Sequence, residues 1–143
     1  MSGYGQMQYK RTQVTTVDKG RLIILLYEGA IKFIRQAKEC AESGDIEGKA
    51  NNINRAMDVI AELNHSLNIT DGGEIAANLR RLYLFMSDQL LTGKIKKETH
   101  YLDEVIRLLS SLNEAWNDVV SKPEAQQAVP QEEAASQRAS VKV

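Results

Sequence analysis

The stretch KETHYLDEVIRLLSSLNEAWNDVV, residues 97–120, decides the fold. Leu102, Val105, Ile106, Leu109, Leu112, Trp116 and Val120 return at intervals of three and four, with charged and small polar residues between them. That is the period of a helix buried along one face, and an alternating strand does not produce it. The same period recurs upstream. A helix over about residues 74–91 turns Ile75, Leu79, Leu82, Met86 and Leu90 inward. One over about residues 45–67 does so with Ile46, Ala50, Ile53, Met57, Ile60, Leu63 and Leu67. A first helix over about residues 19–43 shows the stripe Leu22, Leu26, Gly29, Phe33, Ala37, Cys40, with Asp18 well placed as its N-cap.

Punctuation agrees with this division. The only prolines are Pro123 and Pro130, so none interrupts residues 1–122. Glycines at 44, 48, 72, 73 and 93 separate the periodic segments. Four amphipathic helices on short connections predict an all-α fold, an antiparallel four-helix bundle over residues 18–120. Residues 1–17 carry Tyr4, Met7, Tyr9, Val14 and Val17 among polar neighbours and read as an N-terminal strap. Residues 121–143 hold both prolines, abundant Ala, Gln, Ser and Glu, and no apolar period, and are expected to be a disordered tail.

Composition narrows the function. With 143 residues, 43% of them hydrophobic, the chain has one domain's worth of sequence and enough apolar surface for a core. Lys and Arg total 18 against 19 Asp and Glu, with no basic stripe of the kind nucleic acid requires. Cys40 is the single cysteine, which excludes an internal disulfide framework. The longest apolar run, Leu22 to Tyr27, falls far short of the ~20 residues that span a bilayer. The N-terminus is polar and has no apolar signal region. A cytoplasmic protein without membrane insertion is expected.

Two helices carry more apolar surface than one bundle face needs. On the first helix, Ile24 and Ile31 fall beside Arg35 and Glu42 and stack seven residues apart. On the third, Ala77, Leu84 and Leu91 form a second row opposite Ile75 and Leu82. Leu108, Ala115 and Val119 widen the fourth. Wide faces also suit a lopsided bundle, but two separate ridges favour a partner surface suited to a helix lying in a groove. Ile24, Tyr27, Ile31, Leu84, Leu91 and Leu108 are the candidate contacts.

Catalytic and metal signals are weak. A di-iron bundle needs two Glu-x-x-His motifs and two further Glu. Here Glu62-Leu63-Asn64-His65 is one motif, and His100 follows Lys97 by three residues and supplies no second. Cys40 on the apolar stripe reads as an unreactive core thiol. Gly72-Gly73 lacks the spacing and the Lys of a phosphate loop. Asn64, in the middle of an apolar face, calls for an internal hydrogen-bond partner. No catalytic residue, metal site or cofactor is assigned.

Several blocks together resemble the FliS family of bacterial flagellar export chaperones. They are Leu22-Ile23-Ile24-Leu25-Leu26-Tyr27-Glu28-Gly29-Ala30, Leu63-Asn64-His65-Ser66-Leu67-Asn68, Gly72-Gly73-Glu74-Ile75-Ala76-Ala77-Asn78-Leu79 with Leu82-Tyr83, and Ala115-Trp116. Tyr9 and Val14 match the family's N-terminal spacing, and the resemblance runs from about Tyr9 to Trp116. One departure is Thr16-Val17-Asp18-Lys19, where the family often has Thr-Ala-Ser-Pro. The resemblance implies a non-enzymatic chaperone that binds the disordered C-terminal region of flagellin in the cytoplasm. It would thereby prevent premature polymerisation, and it would pass flagellin to the gate protein of the flagellar type III export apparatus. It further implies that the strap covers part of the client site when the client is absent. Tyr9, and more weakly Met7, match the region that docks to the gate.

Two rival readings remain, a ferritin-like metal protein and a bundle that self-associates through its ridges. The ridges are also compatible with a homodimer in the absence of client. Because the tail lacks an apolar pattern, deleting residues 124–143 is expected to leave the melting temperature and flagellin binding nearly unchanged. Calorimetry and a binding titration on the truncated chain check this, and a large loss of either would place the tail on the bundle or the client.

Overall fold

In the computed structural model, which describes residues 16–67 and 69–121, the chain forms four helices. They are α1 (Thr16–Glu42), α2 (Ile46–His65), α3 (Ile69–Ile95) and α4 (His100–Ser121). The expected strap, with Met7 and Tyr9, and the expected tail beyond Ser121 lie outside the described residues. Each helix packs against its two neighbours in a ring, so α1 and α3 face each other across one diagonal and α2 and α4 across the other. The expected all-α four-helix bundle is present.

Short connections impose this order. Gly44, at φ 81, leaves α1 through a left-handed turn that L side chains resist. Its N–H donates to Ala41 O at 3.2 Å and the Asp45 N–H donates to Cys40 O at 2.8 Å, the paired bonds of a Schellman stop. Asp45 then caps α2, its carboxylate accepting from the Gly48 N–H at 2.9 Å. One helix thus ends and the next begins within three residues, which forces α1 and α2 antiparallel. Asp18, expected at the N-cap of α1, instead lies inside its first turn, where a carboxylate still favours the helix dipole. The turn expected at Gly72-Gly73 is a kink within α3, with Gly73 at φ 56 and ψ −131. Between α3 and α4, the buried Lys49 reaches over from α2 and donates from Nζ to Lys96 O at 2.8 Å. That bond satisfies a carbonyl at the end of α3.

The core is built on Tyr27, Ala30, Ile34 and Ala37 of α1 and Ile53, Ala56, Ile60 and Leu63 of α2. Tyr83, Met86 and Leu90 of α3 and Leu102, Val105 and Leu109 of α4 complete it. At its middle the Tyr27 and Tyr83 hydroxyls share a hydrogen bond of 2.7 Å across the α1–α3 diagonal. The Trp116 side chain, from α4, lies beside the same hydroxyl and favours its charged form. Burial pushes the Tyr27 pKa up, partly offset by its hydrogen bond to Tyr83 and by Trp116. Burial raises Tyr83 as well, strengthened by the charge that Tyr27 would carry.

The face of α1 departs from expectation. Leu22 is 58% exposed, and Leu26, Gly29, Phe33 and Cys40 are half-buried. Only Ala37 of the expected stripe is fully buried, while Ile24 and Ile31, expected outside the core, are buried at 8% exposure. The helix is turned by about one residue, or about 100°. Residues 22–27 are apolar all round, so periodicity alone does not choose the face there. The choice is made by the Tyr27 hydroxyl, which finds a buried partner only when it points at Tyr83. Cys40 sits at the α1–α2 seam with Asn52 Nδ2 3.8 Å from its sulfur. Ile46, expected inward, is 78% exposed at the first position of α2. The expected partner for Asn64 does not appear, since its buried Oδ1 has none among the described residues.

Three outcomes follow from this core. Tyr83→Phe should cost about 1–3 kcal/mol, because the Tyr27 hydroxyl loses its partner. The double change to Phe should cost less than the sum of the singles, as urea unfolding of the four proteins will show. Ile34→Asp should abolish the cooperative melt, and Ile31→Asp should lose more than about 1 kcal/mol. Finally, Tyr27 and Tyr83 have folded pKa values above the unfolded value of about 10. Their contribution to stability is therefore complete below that pH and lost above it. Tyrosinate absorbance during alkaline titration should show these two silent until the bundle unfolds.

Candidate functional site

With Ala76, Tyr83, Met86 and Leu90 committed to the interior, α3 still has large apolar side chains left over. Leu84 is 49% exposed, Phe85 44%, Leu91 46% and Ile95 77%. Elsewhere among the described residues, the large apolar side chains this exposed are Leu22 and Leu25 on α1 and Ile46 on α2. The unburied surface is thus concentrated on α3, on both sides of its interior line.

Cross-links between helices show which neighbour each flank meets. Lys94 Nζ donates to Asn54 Oδ1 of α2 at 2.7 Å. Leu84 and Leu91 lie ten and three residues before Lys94, on the same side of the helix. They therefore border the furrow between α2 and α3. Gly93 meets Tyr101 and Leu102 of α4. Leu82 and Phe85, eleven and eight residues before Gly93, border the furrow on the α4 side, which the half-buried Leu108 enters from α4. Apolar walls of this kind, rimmed by polar residues, suit the apolar face of an amphipathic helix.

The furrow between α1 and α4 is mixed in character, with charged side chains around the apolar Ile31. It holds about 620 Å³ and is lined by Glu28, Lys32, Arg35 and Glu39 facing Ser110 and Glu114. Its mixed charges are set on solvated crests. The ion pair of Lys38 Nζ with Asp103 Oδ1, 2.5 Å long, ties the same two helices nearby. Among the described residues no three His, Cys, Asp or Glu side chains converge as metal ligands. His65 is exposed at the end of α2. No helix of the described residues is long and apolar enough to cross a membrane.

The six candidate contacts therefore divide. Leu84 and Leu91 stand exposed along one furrow, and Leu108 is half-buried at the other. Ile24 and Ile31 belong to the core, and Tyr27, fully buried against Tyr83, has no surface to offer. The α1 ridge is thereby corrected: the outward apolar residues of that helix are Leu22 and Leu25. Phe85 and Ile95 were missed. Phe85 adjoins Leu84, and a count of all apolar positions on α3 beyond one face would have found it. Met7 and Tyr9 lie outside the described residues.

The family model of flagellar protein FliS matches residues 1–123. The flagellar secretion chaperone FliS of Bacillus subtilis is 34% identical over 112 residues, covering 78% of this chain and 83% of its own. That of Vibrio cholerae is 32% identical over 108 residues, covering 76% and 79%. The Salmonella typhimurium protein is 30% identical over 128 residues, covering 89% and 94%. A family match over most of the chain, relatives matched along most of their own length, and a four-helix bundle with apolar furrows agree: the chain belongs to the FliS family of flagellar proteins.

Proposed function

We propose that the protein is a non-enzymatic, ATP-independent export chaperone for flagellin. It holds the C-terminal region of flagellin in the cytoplasm, prevents premature polymerisation and delivers the client to the export gate of the flagellar type III apparatus. The observation that carries this reading is the exposed apolar surface on both flanks of α3, in a chain whose relatives are named flagellar secretion chaperones. A disordered client is ordered on binding at an entropic cost, which favours a long interface over a single pocket. Two furrows beside one helix supply that length.

Leu84 and Leu91 serve one furrow, and Leu108 with Phe85 the other. Ile24, Tyr27 and Ile31 act from beneath, setting the positions of the helices that form the walls. Met7 and Tyr9 are assigned to gate docking, on the resemblance of the N-terminal segment.

The test is calorimetric binding of a flagellin C-terminal segment to the full chain, with sizing of the free and mixed proteins. Leu84→Asp and Leu91→Asp should keep near-native circular dichroism, since exposed positions tolerate change within about ±0.5 kcal/mol. Each should weaken binding by more than about 1 kcal/mol, roughly fivefold. Unaltered affinity in both variants would move the site off the α2–α3 furrow. A dimer that ignores flagellin would mean that the ridges pair two copies of the chain.

A further inference from the structure

Asn78 lies one turn before Leu82 and two before Phe85, on the row of α3 that borders the α4 side, and is half-buried. Its Oδ1 accepts a hydrogen bond from the guanidinium of the exposed Arg81. A guanidinium only donates, so this bond fixes which way the amide is turned. Around the helix, Asn78 is about 60° and Arg81 about 120° from Gly93, which meets α4. With its oxygen toward Arg81, the amide turns its nitrogen toward α4. That nitrogen is buried and has no hydrogen-bond partner among the described residues.

The facing helix offers it no acceptor. α3 and α4 are antiparallel, and Gly93 meets Leu102. Fifteen residues back from Gly93, Asn78 is level with the last turns of α4, where Ala115 and Val119 occupy the facing side. Neither side chain carries an acceptor, and the carbonyls at that level serve the ladder of their own helix. The exposed Glu74, one turn nearer the kink, is the acid beside Asn78 and makes no bond to the buried nitrogen. Its charge is opposed by that of Arg81.

The place of this donor along the furrow says what can satisfy it. α3 kinks at Gly73 and α4 finishes at Ser121, so the α3–α4 furrow runs out within about two turns of Asn78. A helix lying in the furrow therefore ends here. If that end were its N-terminus, it would bring N–H groups to a donor. A C-terminus brings carbonyls that have no partner in their own helix.

We propose that Asn78 caps the C-terminal end of an amphipathic client helix in the α3–α4 furrow, its amide donating to a main-chain carbonyl of the last turn. This rests on the reading that the flagellin C-terminal region occupies the furrows beside α3. The free chain bears the cost of an unsatisfied buried donor, and the client relieves it. The bond also gives the client a direction. In this furrow it runs from the α3–α4 connection toward Gly73, antiparallel to α3.

Asn78→Leu in the full chain tests this, titrated with a flagellin C-terminal segment and melted without it. Removing the donor should leave the melting temperature of the free bundle unchanged or raise it, while binding weakens about fivefold. Asn78→Asp keeps the bond from Arg81 but sets a carboxylate against the client carbonyl, and should weaken binding at least as much. A photocrosslinker at Gln89 should trap flagellin residues that lie N-terminal to those trapped from Ala115, which is near the level of Asn78. Unchanged affinity in Asn78→Leu, a lowered melt of that variant, or the reverse order of crosslinks would overturn the assignment. If Phe85→Asp still weakened binding in that case, the client reading would stand without it. A wild-type chain that binds no flagellin segment would overturn the client reading and this assignment together.

Discussion

The hydroxyl pair of Tyr27 and Tyr83 is the constraint around which the other packing choices arrange themselves. Two phenols meet at 2.7 Å in the middle of an aliphatic core, each the other's means of staying buried. An unpaired hydroxyl there would be costly, so the rotation of α1 and that of α3 are fixed together, across a diagonal where the two backbones do not touch. Trp116 adds a third helix to the same point. Once α1 is so turned, Ile24 and Ile31 must go inward and Leu22 must face out. Once α3 is so turned, its inner line is Ala76, Tyr83, Met86 and Leu90, and the remaining apolar residues have only the flanks to occupy.

Much of this was legible in the residues. The inward face of α4 needed only its spacing, and Leu102, Val105 and Leu109 are buried as that spacing requires. The Gly44-Asp45 pair marked the first turn, and the structure adds the bonds that make it. The α3 ridge was legible because its polar residues are frequent enough to define two separate apolar rows. The face of α1 was not. Six consecutive apolar residues leave a periodicity argument without contrast, and the polar atom that settles the matter lies on a tyrosine, which counts as apolar. Its partner is 56 residues away in sequence. A long-range pairing of that kind leaves no local pattern. The exposure of Ile46 was hidden for a simpler reason: the first residue of a helix overhangs the end of the core, whatever the period says.

Interior and surface are therefore one problem in this molecule. The aromatic pair makes the bundle rigid where it is buried. By fixing the rotation of α3 it also decides which leucines remain outside. The furrows beside α3 are what is left when the hydroxyl bond has been satisfied. Their walls are held by short loops and by cross-helix contacts such as Lys49 to Lys96 and Lys94 to Asn54.

The even number of helices has a mechanical consequence. Gly20, near the start of α1, packs against Trp116 and Val120 near the finish of α4. The segments flanking the bundle therefore leave from the same pole. Tension applied between them does not slide helices lengthwise past one another, a motion in which all contacts resist at once. It peels α1 from α4 turn by turn, starting at Gly20 and Val120 and reaching the Lys38–Asp103 ion pair only near the far pole. Because the load falls on a few contacts at a time, this bundle is weak to a pull on its ends, however well its centre is packed.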